Sequence, residues 1–110
     1  MNIQTAFDIA YNGVVKQGKP SIRHYASGNS ECEFNGPDGT HCSIGFLMLE
    51  ETYLDEICFL PGNFFEDIRT AHDESAPKYD FPTNRSIRFV TEFKHRMSLV
   101  AQKWNLNVPA

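Results

Sequence analysis

Gly36-Pro37-Asp38-Gly39 constrains this chain more than any other four residues. Proline's fixed φ suits the second position of a type I turn, and Gly39 can take the left-handed conformation of a G1 bulge. The turn sits inside residues 32–45, CEFNGPDGTHCSIG, whose flanks alternate. With Pro37, Asp38 and Gly39 as the loop, Gly36 faces Thr40, Phe34 faces Cys42 and Cys32 faces Ile44. Period two then gathers Cys32, Phe34, Cys42, Ile44 and Phe46 on an apolar face and Glu31, Glu33, Asn35, His41 and Ser43 on a polar one. The expectation is a hairpin over 31–47 that is covered on one side.

Helices are expected at both ends. Ile3, Phe7, Ala10, Tyr11, Val14 and Val15 recur at helical spacing, with Asn2 placed to cap the first turn. Gly18 followed by Lys19-Pro20 stops that helix near residue 17, and Gly13 inside it marks a site of close packing. Residues 21–26 suit a short edge strand before the turn signal Ser27-Gly28-Asn29-Ser30. Beyond the hairpin, residues 50–57 read as a short acidic helix. Phe64, Phe65, Ile68 and His72 repeat helically, with Asn63 as N-cap, Glu66 completing a capping box and His72 at the helix end. Residues 73–83 are irregular. The last helix carries Phe89, Phe93, Met97, Val100, Ala101 and Trp104 on one side and Arg85, Arg88, Glu92, Arg96 and Lys103 on the other. Arg88-Glu92-Arg96 then reads as a salt-bridged face, and Asn105 takes a left-handed cap with Leu106 packing beneath it.

A chain of 110 residues with 41% apolar and 22% charged residues is expected to form one globular domain. Nine Phe, four Tyr and one Trp predict a largely aromatic core. No basic start leads into an apolar run and no stretch is long enough to span a bilayer, so the cytoplasm is expected and the three cysteines should be thiols. Charge is distributed unevenly: residues 31–80 hold twelve acids against Arg69 and Lys78, a balance of −10, while the ends balance at +6. An acidic centre suits a basic partner and opposes a phosphate backbone.

The segment CEFNGPDGTHCSIGFLMLEETY resembles a signature of small, mostly uncharacterised proteins of bacteria and their phages, C-x-[FY]-x-G-P-D-G-x-x-C-x-[IV]-G-x-L-I followed by acidic residues and a tyrosine. Cys32, Phe34, Gly36, Pro37, Asp38, Gly39, Cys42, Ile44, Gly45, Leu47 and Tyr53 match it in place. An opening helix that ends Gly-Lys-Pro-Ser (Gly18 to Ser21) and a later Ala-His-Asp element (Ala71, His72, Asp73) extend the likeness. Residues 22–31 stand as an insertion before the first cysteine, and Leu49 stands where a proline is expected. The resemblance implies a phage or mobile-element setting and no settled activity.

The residue types present admit four chemistries to different degrees. Cys32, Cys42 and Cys58 with His41 or His72 could supply zinc ligands, but no C-x-x-C occurs and His41 faces away from Cys42. A Cys32 to Cys42 disulfide would need a register shift and an oxidising compartment. His72-Asp73 is similar to the metal-binding step of phosphohydrolases, yet the spacing of His24, His41 and His95 brings none of them beside His72. A cysteine nucleophile lacks an adjacent base on its own face, and neither a phosphate loop nor a helix-turn-helix signature is present.

The resulting expectation is an α+β fold, a small antiparallel sheet on the 31–47 hairpin packed against the N-terminal and C-terminal helices. For function it is a non-enzymatic phage or mobile-element accessory protein that binds a host protein or protein complex, of the kind that inhibits host defence as anti-CRISPR proteins do. The partner surface is placed on Glu31, Glu33, His41, Glu50, Glu51, Asp55 and Glu56. No catalytic residue, cofactor or metal is assigned, and neither nucleic acid nor membrane is expected. Residues 21–26, as an exposed edge, would admit a homodimer. The alternative is a metal-binding protein or metal-dependent hydrolase using Cys and His or His72-Asp73.

Overall fold

The computed structural model describes residues 2–49, 59–76 and 85–109, with the side chains of residues 85–87 left aside. The fold is α+β. Helix α1 (Ile3–Gln17) is followed by strands β1 (Ile22–His24) and β2 (Ser30–Cys32), a 3-10 turn at Pro37–Gly39, a short helix α2 (Ser43–Leu47), α3 (Gly62–Ser75) and α4 (Arg85–Trp104). The expected helix at 50–57, Cys58, and most of the irregular stretch after Asp73 lie outside the described residues.

The end helices form as their sequences dictate. Asn2 Oδ1 accepts the Thr5 N–H at 2.8 Å, and Gly18 closes α1 at φ 74° by donating to the Val14 carbonyl. At the end of α4, Asn105 adopts φ 56° and the Leu106 N–H reaches back to the Ala101 carbonyl at 2.8 Å. The core is helix on helix: Phe7, Phe64, Phe89 and Phe93 are its largest fully buried side chains, joined by Ile68, Met97 and Val14. Stacked and tilted rings connect Phe7, Tyr11, Phe93 and Phe89 at 6.0–6.2 Å, near the upper end of the favourable range for aromatic pairs.

The sheet lies elsewhere than the turn chemistry suggests. β1 and β2 pair antiparallel, with Ile22 opposite Cys32 and His24 opposite Ser30, around a turn in which Gly28 takes φ 90°. The edge strand read at 21–26 is therefore present over Ile22–His24, and residues 22–31 supply one strand of the sheet and most of the other. After Cys32 the turn brings the anticipated residues together: Gly36 N–H donates to Thr40, Asn35 bridges His41, and Cys42 N–H donates to the Phe34 carbonyl at 3.3 Å. Asp38, however, joins Gly39 in the left-handed region at φ 59°.

The second strand of the 31–47 hairpin is not formed. Cys42 is extended and caps α2, its sulfur accepting the Gly45 N–H at 3.4 Å, and residues 43–47 coil. A strand would send Leu47 away from Ile44 and Phe46. The coil buries Leu47 completely and lays the Phe46 ring on α1 at Gly13, where a methyl group would meet that ring at 2.6 Å. The facing changes accordingly. Ser43 is buried instead of exposed, and Phe34 is 43% exposed instead of buried.

Two details of α3 also differ. Its first carbonyl is that of Pro61, and Asn63 lies inside the helix rather than at its cap, so no capping box forms. His72 lies three residues before the end of the helix, on the buried stripe of Phe64, Ile68 and Ala71.

Candidate functional site

Where β2, the turn and α3 meet, a cleft of about 330 Å³ is lined by Glu31, Cys32, Glu33, Phe34, Cys42, Arg69 and Asp73. Ser21 ties its walls together. Fully buried, it donates its hydroxyl to the Glu33 carbonyl at 2.7 Å, accepts the Glu33 N–H at 3.0 Å, and gives its own N–H to His72 Nε2 at 3.0 Å. This last bond fixes the imidazole. A ring nitrogen that accepts is unprotonated, so the neutral ring carries its proton on Nδ1, which faces Asp73 Oδ1 at 2.8 Å.

Asp73 is the hub of the cleft floor. Burial by itself would raise its carboxyl, but hydrogen bonds from His72 and the Cys32 thiol, with Arg69 nearby, outweigh burial and hold it below the usual range. Arg69 Nε lies 3.5 Å from Asp73 Oδ2, and the guanidinium carbon is 5.9 Å from the centre of the exposed Phe34 ring. The rim is acidic. Glu31 accepts from the Tyr25 hydroxyl at 3.1 Å, and Glu33 pairs with Arg23 at 2.5 Å.

This geometry bears directly on the metal and thiol chemistries. Cys32 Sγ, a His72 ring nitrogen and an Asp73 oxygen lie within 4.8 Å of one another, a meeting that spacing alone did not reveal. Both His72 nitrogens are engaged, however: Nε2 by Ser21 and Nδ1 through its proton. Ligation at Nδ1 would move the proton to Nε2, against the Ser21 N–H. The same tautomer leaves His72 no free lone pair with which to deprotonate Cys32, because that of Nε2 accepts the Ser21 N–H. Burial, then Asp73, pushes the Cys32 thiol up to about 12, and burial also raises that of Cys42 despite opposing N–H groups from Gly45 and Ile44. Cys32 and Cys42 are free thiols. His41 is not part of the cleft. Its ring lies edge-on to Phe46 at 5.2 Å with Nδ1 at 2.7 Å from Asn35 Oδ1, and Gln17 brackets its backbone at 2.8 and 3.0 Å.

Of the proposed partner residues, then, Glu31 and Glu33 stand on the cleft rim, His41 stands apart, and Glu50, Glu51, Asp55 and Glu56 lie outside the described residues. Phe34 and Arg69 carry no functional expectation from the sequence, whereas Asp73 enters there through its adjacency to His72, as half of the metal alternative. On the apolar stripe of a helix that adjacency also serves a buried ring, which needs a partner that the next residue supplies.

One prediction follows from the thiol. A group that holds its proton more tightly when folded lends stability fully present below its unfolded value, near 9, and lost as pH rises through about 12. Iodoacetamide labelling of Cys32 at pH 8, read by peptide mass mapping, should therefore be at least about a hundredfold slower in the native chain than in urea. Equal rates would contradict the buried, Asp73-bonded thiol.

Comparison with protein-family models, curated proteins and solved structures finds no match for this chain. Among the described residues no helix is long and apolar enough to cross a membrane.

Proposed function

We propose that the chain is a non-enzymatic binding protein that holds a basic surface of a host protein in the cleft beside β2. The phage or mobile-element setting, action in the host cytoplasm, and inhibition of host defence of the anti-CRISPR kind belong to the same proposal and rest on the signature at residues 32–53. The observation that carries the binding reading is Arg69: the chain already lays one of its own guanidiniums between the Phe34 ring and Asp73, in a cleft rimmed by Glu31 and Glu33. Three carboxylates stand against Arg69 and against the Arg23 that pairs with Glu33, which leaves the cleft at −1. An arginine or lysine of a partner fits that surplus, with Phe34 and Tyr25 as exposed aromatic contacts.

The test is affinity capture from host lysate with the wild-type chain and with a Glu31→Lys, Glu33→Lys, Phe34→Ala triple variant, alongside a phage-plating assay. A stoichiometric partner kept by the wild type and reduced at least about tenfold in the variant supports the reading. Absence of any such partner, together with unchanged plating, removes it.

A second reading is favoured by the 4.8 Å cluster: a divalent metal held by Cys32 and Asp73, with Cys42 in the same cleft. It requires loss of the thiol proton, and His72 can join only by giving up Ser21. Elemental analysis of tag-free protein decides it, less than about a tenth of a metal per chain removing the reading.

A further inference from the structure

α4 carries Arg88, Lys94, His95, Arg96 and Lys103 against one acid, Glu92, within its described side chains. Two of these basic residues have carboxylate partners. Glu92 is taken by Arg88 at 3.4 Å, and Lys103 is taken by Asp67 at 2.8 Å, whose carboxylate also accepts from Trp104 Nε1. Arg96 lies four residues after Glu92, a spacing at which a pair is expected, yet it has no carboxylate partner among the described residues. Instead it lines two adjoining hollows. One, of about 220 Å³ between α3 and α4, has Thr70, Ala71 and Val100 in its walls, and the other, of about 460 Å³, runs along α4 past Thr91 and His95. Leu99 belongs to both and is 51% exposed, lying off the stripe that α4 buries.

A guanidinium with no carboxylate partner among the described residues, beside an exposed apolar side chain and over an apolar hollow, is complementary to a carboxylate next to an apolar group. We infer that the hollow between α3 and α4 is a second docking surface, for an acidic protein segment in which a leucine-sized side chain adjoins a glutamate or aspartate. The side chain enters the space over Ala71, Leu99 and Val100, and its neighbouring carboxylate meets Arg96. Asp67 and Glu92 do not oppose it, because each is already neutralised. Nucleic acid is the weaker fit, since a phosphate backbone draws on several free cations and gains nothing from Leu99.

The surface is separate from the acidic cleft, so its test is independent of that reading. Fluorescence anisotropy would use a labelled synthetic peptide of repeating Leu-Glu pairs, a poly-glutamate peptide of equal length, and a labelled single-stranded RNA. The Leu-Glu peptide is expected to bind saturably, to weaken with salt, and to lose at least about tenfold in affinity with Arg96→Glu and with Leu99→Ser. Poly-glutamate should bind more weakly, and Glu31→Lys should leave the titration unchanged. Both substituted side chains are exposed, so circular dichroism should confirm an intact fold. No saturable binding by about 1 mM, binding indifferent to both substitutions, or tighter RNA binding with the same Arg96 dependence overturns the inference.

Discussion

Replacing His72 by alanine is expected to destabilise the chain by about 3–5 kcal/mol, a large share of the roughly 5–15 kcal/mol that holds a domain of this size. The ring is fully buried and meets Phe89 edge-on at 5.5 Å, so its loss opens a cavity in the core between α3 and α4. It also removes the acceptor of the Ser21 N–H and the donor to Asp73. A buried donor left unpaired costs about 1–3 kcal/mol by itself. His72→Phe separates the two contributions, because it refills the space and leaves both groups unpaired; it should lose about 1–3 kcal/mol. Urea titrations measure both through the midpoint at constant slope. The pH dependence adds a second readout. A carboxyl held below its ordinary value gives stability that is present above the unfolded value and lost as pH falls through the folded one. Without the His72 donor Asp73 is less depressed, so the acid limb of the stability curve should flatten in His72→Phe. An alanine variant as stable as the wild type would refute the role given to this ring.

His72 also marks how far the sequence can be read. Its place four after Ile68 and eight after Phe64 puts it on the apolar stripe, and burial follows from that spacing alone. Its partner Asp73 is the next residue, and the other, Ser21, lies fifty-one residues away and bonds through its backbone, which no side-chain pattern announces. The same division holds for the rest. α1 and α4 carry caps and core spacing over four or more turns, so local preference and packing agree and their limits are legible. Residues 42–47 are too few to separate a period of two from one of 3.6. Cys42, Ile44 and Phe46 alternate as a strand would, while Leu47 and the cap at Cys42 serve a helical turn, and tertiary contacts with α1 and Phe34 decide between them. Cys32 and Asp73 lie forty-one residues apart and meet through the packing of β2 beside α3, which no local pattern announces.

Gly45→Ala is the sharpest check on that decision. In an isolated helix alanine is favoured over glycine by about 1 kcal/mol, so local propensity predicts a gain. In this fold the added methyl would collide with the Phe34 carbonyl oxygen, lying also 2.9 Å from its carbon and 3.2 Å from the His41 side chain. That oxygen cannot withdraw, because it accepts the Cys42 N–H that joins the turn to α2. α2 would have to move, drawing Cys42 off its capping bond and Leu47 out of the core. Overpacking against backbone costs about 1–3 kcal/mol and the displaced leucine adds to it, so a net loss of about 2–3 kcal/mol is expected. Gly13→Ala supplies the comparison: the atoms nearest its methyl belong to the Phe46 ring, at 2.6–2.9 Å, and that obstacle is a partly exposed side chain rather than backbone. Both substitutions carry the same helical gain, so only the nature of the obstacle separates them. Thermal melts should rank wild type above Gly13→Ala and Gly13→Ala above Gly45→Ala. If residues 42–47 were instead the second strand of a hairpin, alanine at 45 would meet open space on the polar face, and the ranking would not hold.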